Sequence, residues 1–439
     1  MGLPCFLTIY DHGDDDVRSG LIIFARRKLL CTNSSGPLTK AQEYAVLSHR
    51  LVLDSTRTCH ILSPGNPFAE MEKEQEQISS HMHVCVSIGA GMETIRGITP
   101  SEPILSEAAS LVMRDVSFEF NLADALVNVL KNNNNTGDRA ELLVSAFFTW
   151  ARDRAVSVKP HYAFHGQLSW YFTVLELFDS LFSEAVFTSM SASTPSISPP
   201  NAPRHTFAYV FRDAFIHFTH HIRPQEQKLL AKQYLPYFMA RGVAVLGANC
   251  QPGIDAVYPY LYQSTELDSK NVGFILVQVK TNHVSPRYQD AIFKKMDPFM
   301  CDLLQDSDCV DSHFPIPIIR IAFALCCKSS TQFGVTHKTY TSPSQGSLGN
   351  VPNFTSYDFW CSGVDPDIIK PVKEAPNRWK GLVNRAEPWE VFYNDTPNGS
   401  SDMLRSHFPV CGSNNAHFSA WANVVGTDAG KREHDPGSG

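Results

Sequence analysis

Apolar positions along the chain follow two rhythms, and the change between them locates the ordered core. After four consecutive asparagines at 132–135, the stretch DRAELLVSAFFTWAR spaces its apolar residues at helical intervals, which predicts a helix starting near Asp138. From Thr206 the spacing predicts a helix over 206–221 and a second over 225–241. Three short strand-like runs follow at 243–248, 254–261 and 273–280, then a helix near 287–300 and a strand over 316–325. GFILVQVK and IIRIAFAL are nearly continuous apolar runs, as expected of strands covered on both faces. Helix, three strands, helix, strand is an α/β arrangement with a mixed central sheet flanked by helices.

Outside this core the pattern weakens. Residues 1–115 read as an accessory N-terminal region, with a strand over 81–88, a polar, charged stretch over 63–79 and a helix ending at Met113. Residues 116–187 form a helical segment contributing to the core, and 188–204, rich in Ser, Thr and Pro, read as a surface loop. The α/β core spans 205–330. Residues 331–425, with Trp360, Trp379 and Trp389, form a C-terminal accessory region, and 426–439 is a polar, Gly-rich tail expected to be disordered.

Composition narrows the class. The 439 residues are 43% hydrophobic and 18% charged, the balance of a globular chain rather than a disordered one. With 37 Lys and Arg against 44 Asp and Glu, the formal charge of −7 excludes a protein that coats nucleic acid through its whole surface. Eleven cysteines without a CxxC pair suggest neither a disulfide framework nor a zinc ribbon. Free, mostly buried thiols in a reducing, intracellular compartment are expected, with nucleus and cytoplasm not distinguished. No apolar run reaches the length of a membrane span, and Phe314 begins the longest, which contains Arg320. Glycine-rich nucleotide-binding loops and a GxSxG elbow are absent, which disfavours kinases, nucleotide-driven motors and the common hydrolases.

The chemistry-bearing pattern is QPGID ending at Asp255, followed 23 residues later by Gln278-Val279-Lys280 at the end of an apolar strand. Strand side chains alternate between faces, so Gln278 and Lys280 share one side, and Asp255 is expected on an adjacent strand. An acid, an amide oxygen and a lysine can together bind Mg²⁺, orient a water and stabilise the charge that develops at phosphorus. The plainer alternative is a polar rim at strand ends, with Lys280 exposed and Asp255 capping a turn.

This D…QxK pattern resembles the PD-(D/E)XK nuclease superfamily. The resemblance implies a restriction-endonuclease-like fold, a Mg²⁺ or Mn²⁺ cofactor and hydrolysis of phosphodiester bonds in DNA or RNA. It also implies a Glu on the helix before the sheet, and Glu141 in the GxxxE pattern Gly137-Asp138-Arg139-Ala140-Glu141 matches that element, with Glu226 as its rival. Asp255, Glu141, Gln278 and the Val279 carbonyl are the implied metal ligands or water positioners. Lys280 is the implied group that orients or deprotonates the attacking water. Gln at 278 departs from the acid of many members, although branches related to Mrr restriction enzymes carry Q-x-K; a neutral oxygen binds the metal more weakly than a carboxylate. Glu141 can equally be an acid favoured in the first turn of its helix. Segments such as SEPILSEAA, FIHFTH and TSYDFWC resemble a lineage-expanded family of basidiomycete fungal proteins with no established substrate. A catalytically inactive nuclease fold that binds nucleic acid or a protein partner is the alternative function.

From Ile222 to Lys295 there are nine Lys or Arg and five acids, a local +4 in an acidic chain. Arg287, Lys294 and Lys295 are candidate phosphate contacts there, or a solvated helix face. His217, His220 and His221, spaced i, i+3, i+4 on the expected helix, lack a carboxylate or Cys at matching spacing and read as packed or surface histidines rather than a zinc site. His81 and His83 read as a satisfied pair on a strand edge, and Cys326 and Cys327 point to opposite faces of a strand. Oligomeric state is left open by the sequence.

Overall fold

The computed structural model describes residues 15–53, 67–88, 95–130, 136–157, 171–199, 203–224, 226–247, 253–280, 289–304, 316–325, 332–335 and 354–385. The chain is mixed α/β: one mixed sheet of nine strands carries helices, and a separate two-stranded antiparallel ladder, β1 (Val84–Ile88) with β2 (Ile95–Ile98), lies in the N-terminal part.

The N-terminal helices are α1 (Asp15–Leu30), α2 (Lys40–Ser48), α3 (Pro67–Ser80) and α4 (Pro103–Arg114). They are followed by α5 (Leu122–Leu130) and α6 (Thr136–Ser157). Helix α2 begins where Thr39 and Gln42 form a reciprocal capping box, which satisfies two backbone donors that the first turn leaves over. The same device, with Thr173 and Glu176, starts α7 (Val174–Leu181) directly after the short strand β3 (Phe172–Thr173).

Helices α8 (Glu184–Ala192) and α9 (Phe207–Phe211) lead into β4 (Ala214–Ile216) and β5 (His220–Ile222). After α10 (Leu235–Ala240) come β6 (Val243–Leu246), parallel to β5, then β7 (Ala256–Tyr262), antiparallel to β6, and β8 (Val272–Lys280), antiparallel to β7. Helix α11 (Gln289–Lys295) then crosses to β9 (Ile318–Ala324), parallel to β8. The chain continues through β10 (Gln332–Val335), β11 (Ser356–Ser362), α12 (Lys370–Glu374) and α13 (Pro376–Arg385). The strand order is β10-β11-β9-β8-β7-β4-β3, with β6 paired to the first half of β7 and β5 paired to β6.

Helix, three strands, helix, strand is the observed order from α10 through β9, and β3, β4 and β5 before it and β10 and β11 after it enlarge the sheet. Strand β11, from the segment read as C-terminal accessory, lies parallel against β9, and β3, from the segment read as helical, closes the other edge. Alternation sorts the buried residues of β8. Ile275, Val277 and Val279 enter a large core with α6 and α7; Val272, Phe274 and Leu276 enter a smaller one with α10 and α11.

Several sequence expectations are corrected. The helix expected over 206–221 ends at Phe211, and the chain turns into β4 and β5, because Phe215 and Ile216 complete ladder pairs with β7. His217, His220 and His221 therefore do not share a helical face. All three are buried: the His221 ring bonds the Arg50 carbonyl at 3.0 Å and the Tyr258 hydroxyl at 3.0 Å, and His220 bonds Ser101 Oγ at 2.8 Å. His81 and His83 precede β1 rather than lie on it, and both are buried. The described part of the expected helix over 225–241 is two 3₁₀ turns and the short α10. In the 188–204 segment, α8 runs to Ala192, and the following residues pack on the sheet edge: Ile197 bridges to Ser356, and Ser196 Oγ accepts the Asp358 N–H at 3.1 Å. Of the described cysteines, Cys301 and Cys361 are buried, whereas Cys31 and Cys85 are exposed. Arg287, Trp389, Cys326, Cys327 and the 426–439 tail lie outside the described residues.

Two sets of buried charges hold the layers together. Arg50, after α2, grips Asp153 of α6 with two bonds, at 2.8 and 3.1 Å, and Arg152 bonds Glu107 of α4 at 2.6 Å. The two arginines also donate to the Thr219 and Phe218 carbonyls, tying the helical layer to the turn before β5. On the other face, Arg320 of β9 pairs in two-pronged fashion with Asp358, its in-register neighbour on β11, at 2.8 and 2.6 Å. Its remaining nitrogen donates to the Phe293 carbonyl at 2.8 Å and to the Met296 carbonyl at 3.4 Å, so Arg320 caps α11 and fixes it to the sheet.

Candidate functional site

Asp255 immediately precedes β7, where the ladder with β8 runs out. The last pair is Ala256 with Val277, and the Asp255 N–H adds one more bond to the Val277 carbonyl at 2.8 Å. Continuing that register sets Asp255 opposite Gln278. The carboxylate takes over where a backbone acceptor would stand: Oδ2 accepts the Val279 N–H at 2.5 Å and a bond from Gln278 Nε2. An aspartate accepts only, so Gln278 must turn its amide nitrogen toward it and acts here as a donor. Lys280, two residues on, shares the Gln278 side of the strand, is half-buried, and its charge acts on Asp255.

The loop before Asp255 depends on one glycine. Gly253 has φ of +89°, and a Cβ there would lie 2.2 Å from the Lys295 carbonyl oxygen at the end of α11. No other residue allows that approach without moving α11. The side chains of Lys294 and Lys295 are exposed on the helix whose end meets this loop.

Glu141 reaches the site indirectly. It lies in the second turn of α6, whose Leu142, Leu143 and Val144 belong to the large core, on the opposite face from Gln278 and Lys280. Arg223, just after β5, donates from Nη2 to Glu141 Oε2 at 2.8 Å, and its charge also acts on Asp255. Glu226, the rival acid, is on no helix; it is exposed and paired with Lys228 at 2.5 Å. The importance of Arg223 has no sequence signal beyond its membership of the basic stretch, because its role depends on where β5 and α6 end in space.

The electrostatics of Asp255 test whether a divalent cation suits these residues. Burial is the largest influence and raises its carboxyl pKa above the ordinary carboxylate value; the Val279 N–H, Lys280, Gln278 and Arg223 each lower it, without cancelling the rise. Burial therefore favours the neutral carboxyl over the anion at this position. Among the described residues no group of three or more His, Cys, Asp and Glu is arranged to hold a metal. The expected donors, the Asp255 and Glu141 carboxylates and the Val279 carbonyl, are hard oxygens of the kind Mg²⁺ or Mn²⁺ takes, but Asp255 is met by Gln278 and the Val279 N–H while Glu141 is engaged by Arg223.

Comparison with protein-family models, with curated proteins and with solved structures finds no match. Among the described residues no helix is long and apolar enough to cross a membrane.

Proposed function

We propose that the chain is a metal-dependent nucleic-acid phosphodiesterase of PD-(D/E)XK type, with a restriction-endonuclease-like core. The observation that carries this reading is the in-register meeting of Asp255 with Gln278, with Lys280 two residues on, inside the order helix, three antiparallel strands, helix, parallel strand. Asp255 and Glu141 would hold Mg²⁺ or Mn²⁺ with help from the Val279 carbonyl, Glu141 exchanging Arg223 for the cation. The bound cation supplies Lewis-acid stabilisation of phosphoryl oxygens. Gln278 fixes the Asp255 carboxylate through its amide and holds it in one orientation. Lys280, beside Asp255, orients the attacking water and takes up part of the negative charge that develops at phosphorus. Lys294 and Lys295, exposed on the helix that abuts the Asp255 loop, hold the nucleic-acid backbone without reading bases.

A second reading, a nuclease fold that binds nucleic acid or a protein without cutting, is favoured by one observation. Glu141, needed as a ligand, is engaged by Arg223. The two readings part in a cleavage assay on single- and double-stranded DNA and RNA with Mg²⁺ or Mn²⁺. Cleavage abolished by chelation supports the enzyme; intact substrates under all conditions select the binding protein.

A further inference from the structure

We infer that the outward face of α1 is a self-association surface, on which a second copy of this chain lays its own α1 antiparallel across a two-fold axis. This surface is independent of the metal-dependent reading above.

Helix α1 is apolar on two faces. Ile22, Ala25, Leu29 and Leu30 are buried against α4 and α2, which completes the contact a surface helix needs within its own chain. On the other side Val17, Ile23 and Phe24 are 40%, 41% and 46% exposed, where polar residues are the rule. At 3.6 residues per turn, Asp16, Gly20, Ile23, Phe24 and Arg27 fall within an arc of about 100°. An acid, a glycine, a bulky apolar pair and a base thus form one exposed line along the helix.

Two observations select a second copy as the occupant. The first is charge. Exposed Asp16 lies in the first turn and exposed Arg27 and Lys28 in the last, so the face is acidic at one end and basic at the other. An antiparallel copy brings each acidic end to a basic one: a two-fold axis between residues 21 and 22 sets Asp16 beside the second copy's Arg27, and the reverse. A uniformly charged partner would be attracted at one end and repelled at the other.

The second is shape. Gly20 sits inside the helix, where glycine is unfavourable, and a Cβ there would meet nothing within 4 Å from the rest of the chain. No contact within the chain therefore requires glycine at this position. In the same register the hollow at Ser19 and Gly20 receives the second copy's Phe24 and Ile23, and the two-fold axis repeats the fit. Lys28 holds its ammonium 5.5 Å from the centre of the Phe24 ring, which keeps the basic end and the apolar ridge together. One helix pair is at the small end of specific interfaces, so the dimer is reversible, with half-association between about 1 and 100 µM.

The test is sedimentation velocity of the full chain across that concentration range, where wild type passes from monomer to dimer. Gly20→Leu fills the hollow and weakens the dimer at least about tenfold. Its thermal midpoint at the lowest concentration rises, because leucine is the better helix former, so the weaker assembly is not a loss of fold. Asp16→Lys and Arg27→Glu each set like charges together at both ends of the helix pair, and each alone stays monomeric, with circular dichroism as the check on fold. Mixed in equal amounts, these two variants recover both attractive pairs and form a heterodimer. Wild type that stays monomeric throughout overturns the inference. A dimer that survives either Gly20→Leu or the single charge changes forms through another surface, and charge variants that remain monomeric when mixed do not meet in the antiparallel register; each of these results overturns it as well.

Discussion

Acidification from pH 7 to pH 5 is expected to remove most of the stability of this fold. Four histidines, His49, His83, His217 and His221, are 2%, 8%, 3% and 5% exposed, and burial, the largest cause for each, pushes their pKa values down to about 4, 3, 4 and 4. An imidazole buried as the neutral form cannot follow the unfolded chain when that chain takes up protons near pH 6.5. The stability these groups allow is therefore complete above about pH 6.5 and is lost as pH falls toward about 4. At pH 5 each costs about 2 kcal/mol relative to pH 7, and the four together about 8 kcal/mol. A domain's whole stability is about 5–15 kcal/mol, so the loss is decisive. His220, lowered well below its ordinary value by burial, acts in the same direction, whereas the raised Asp255 carboxyl opposes it. Urea unfolding followed by tryptophan fluorescence at pH 7, 6 and 5 measures the effect. The variant His221→Gln, which loses one titrating group, should show a pH dependence smaller by about a quarter, even though it is less stable at pH 7. A midpoint shift worth less than about 1 kcal/mol between pH 7 and pH 5 would refute the reasoning, because it would mean these rings are protonated or hydrated in the folded state.

Three further outcomes are expected. Arg320→Met strands the Asp358 carboxylate in the sheet and costs about 3–5 kcal/mol in denaturant unfolding, whereas the double change Arg320→Met with Asp358→Leu recovers much of that loss; equal losses would show that the pair is not what matters. On the proposed reading, Asp255→Asn keeps the fold by circular dichroism but loses Mg²⁺ binding in calorimetric titration, since one of the two proposed anionic ligands is gone, and equal binding by both proteins removes Asp255 from the site. Lys280→Arg abolishes cleavage while nucleic-acid binding in gels persists, because the bulkier guanidinium does not give up a proton or fit the place of an ammonium; unchanged cleavage makes Lys280 a bystander.

The amino-acid sequence by itself determined the elements whose side chains report their own surroundings. Strands β8 and β9 are legible because both faces are covered and nearly every position is apolar, and α6 because its apolar stripe repeats at helical spacing. The pairing of Asp255 with the end of β8 is legible as well, since a polar group at the end of an apolar run and a two-residue repeat place Gln278 and Lys280 on one side. What the sequence alone did not determine depends on partners distant along the chain. FRDAFIHFTHHI has the apolar content of a helix, yet β7 offers open ladder positions that Phe215 and Ile216 fill, and tertiary pairing overrides local periodicity. The SISPP stretch has the composition of a loop, yet Ser196 and Ile197 find unpaired backbone on β11 and are drawn onto the sheet. Arg320 stands as a lone charge in a strand until Asp358 and the end of α11 are brought beside it. Arg223 is one basic residue among nine until folding sets it against Glu141, because the pair exists only once the segment after β5 and the start of α6 meet.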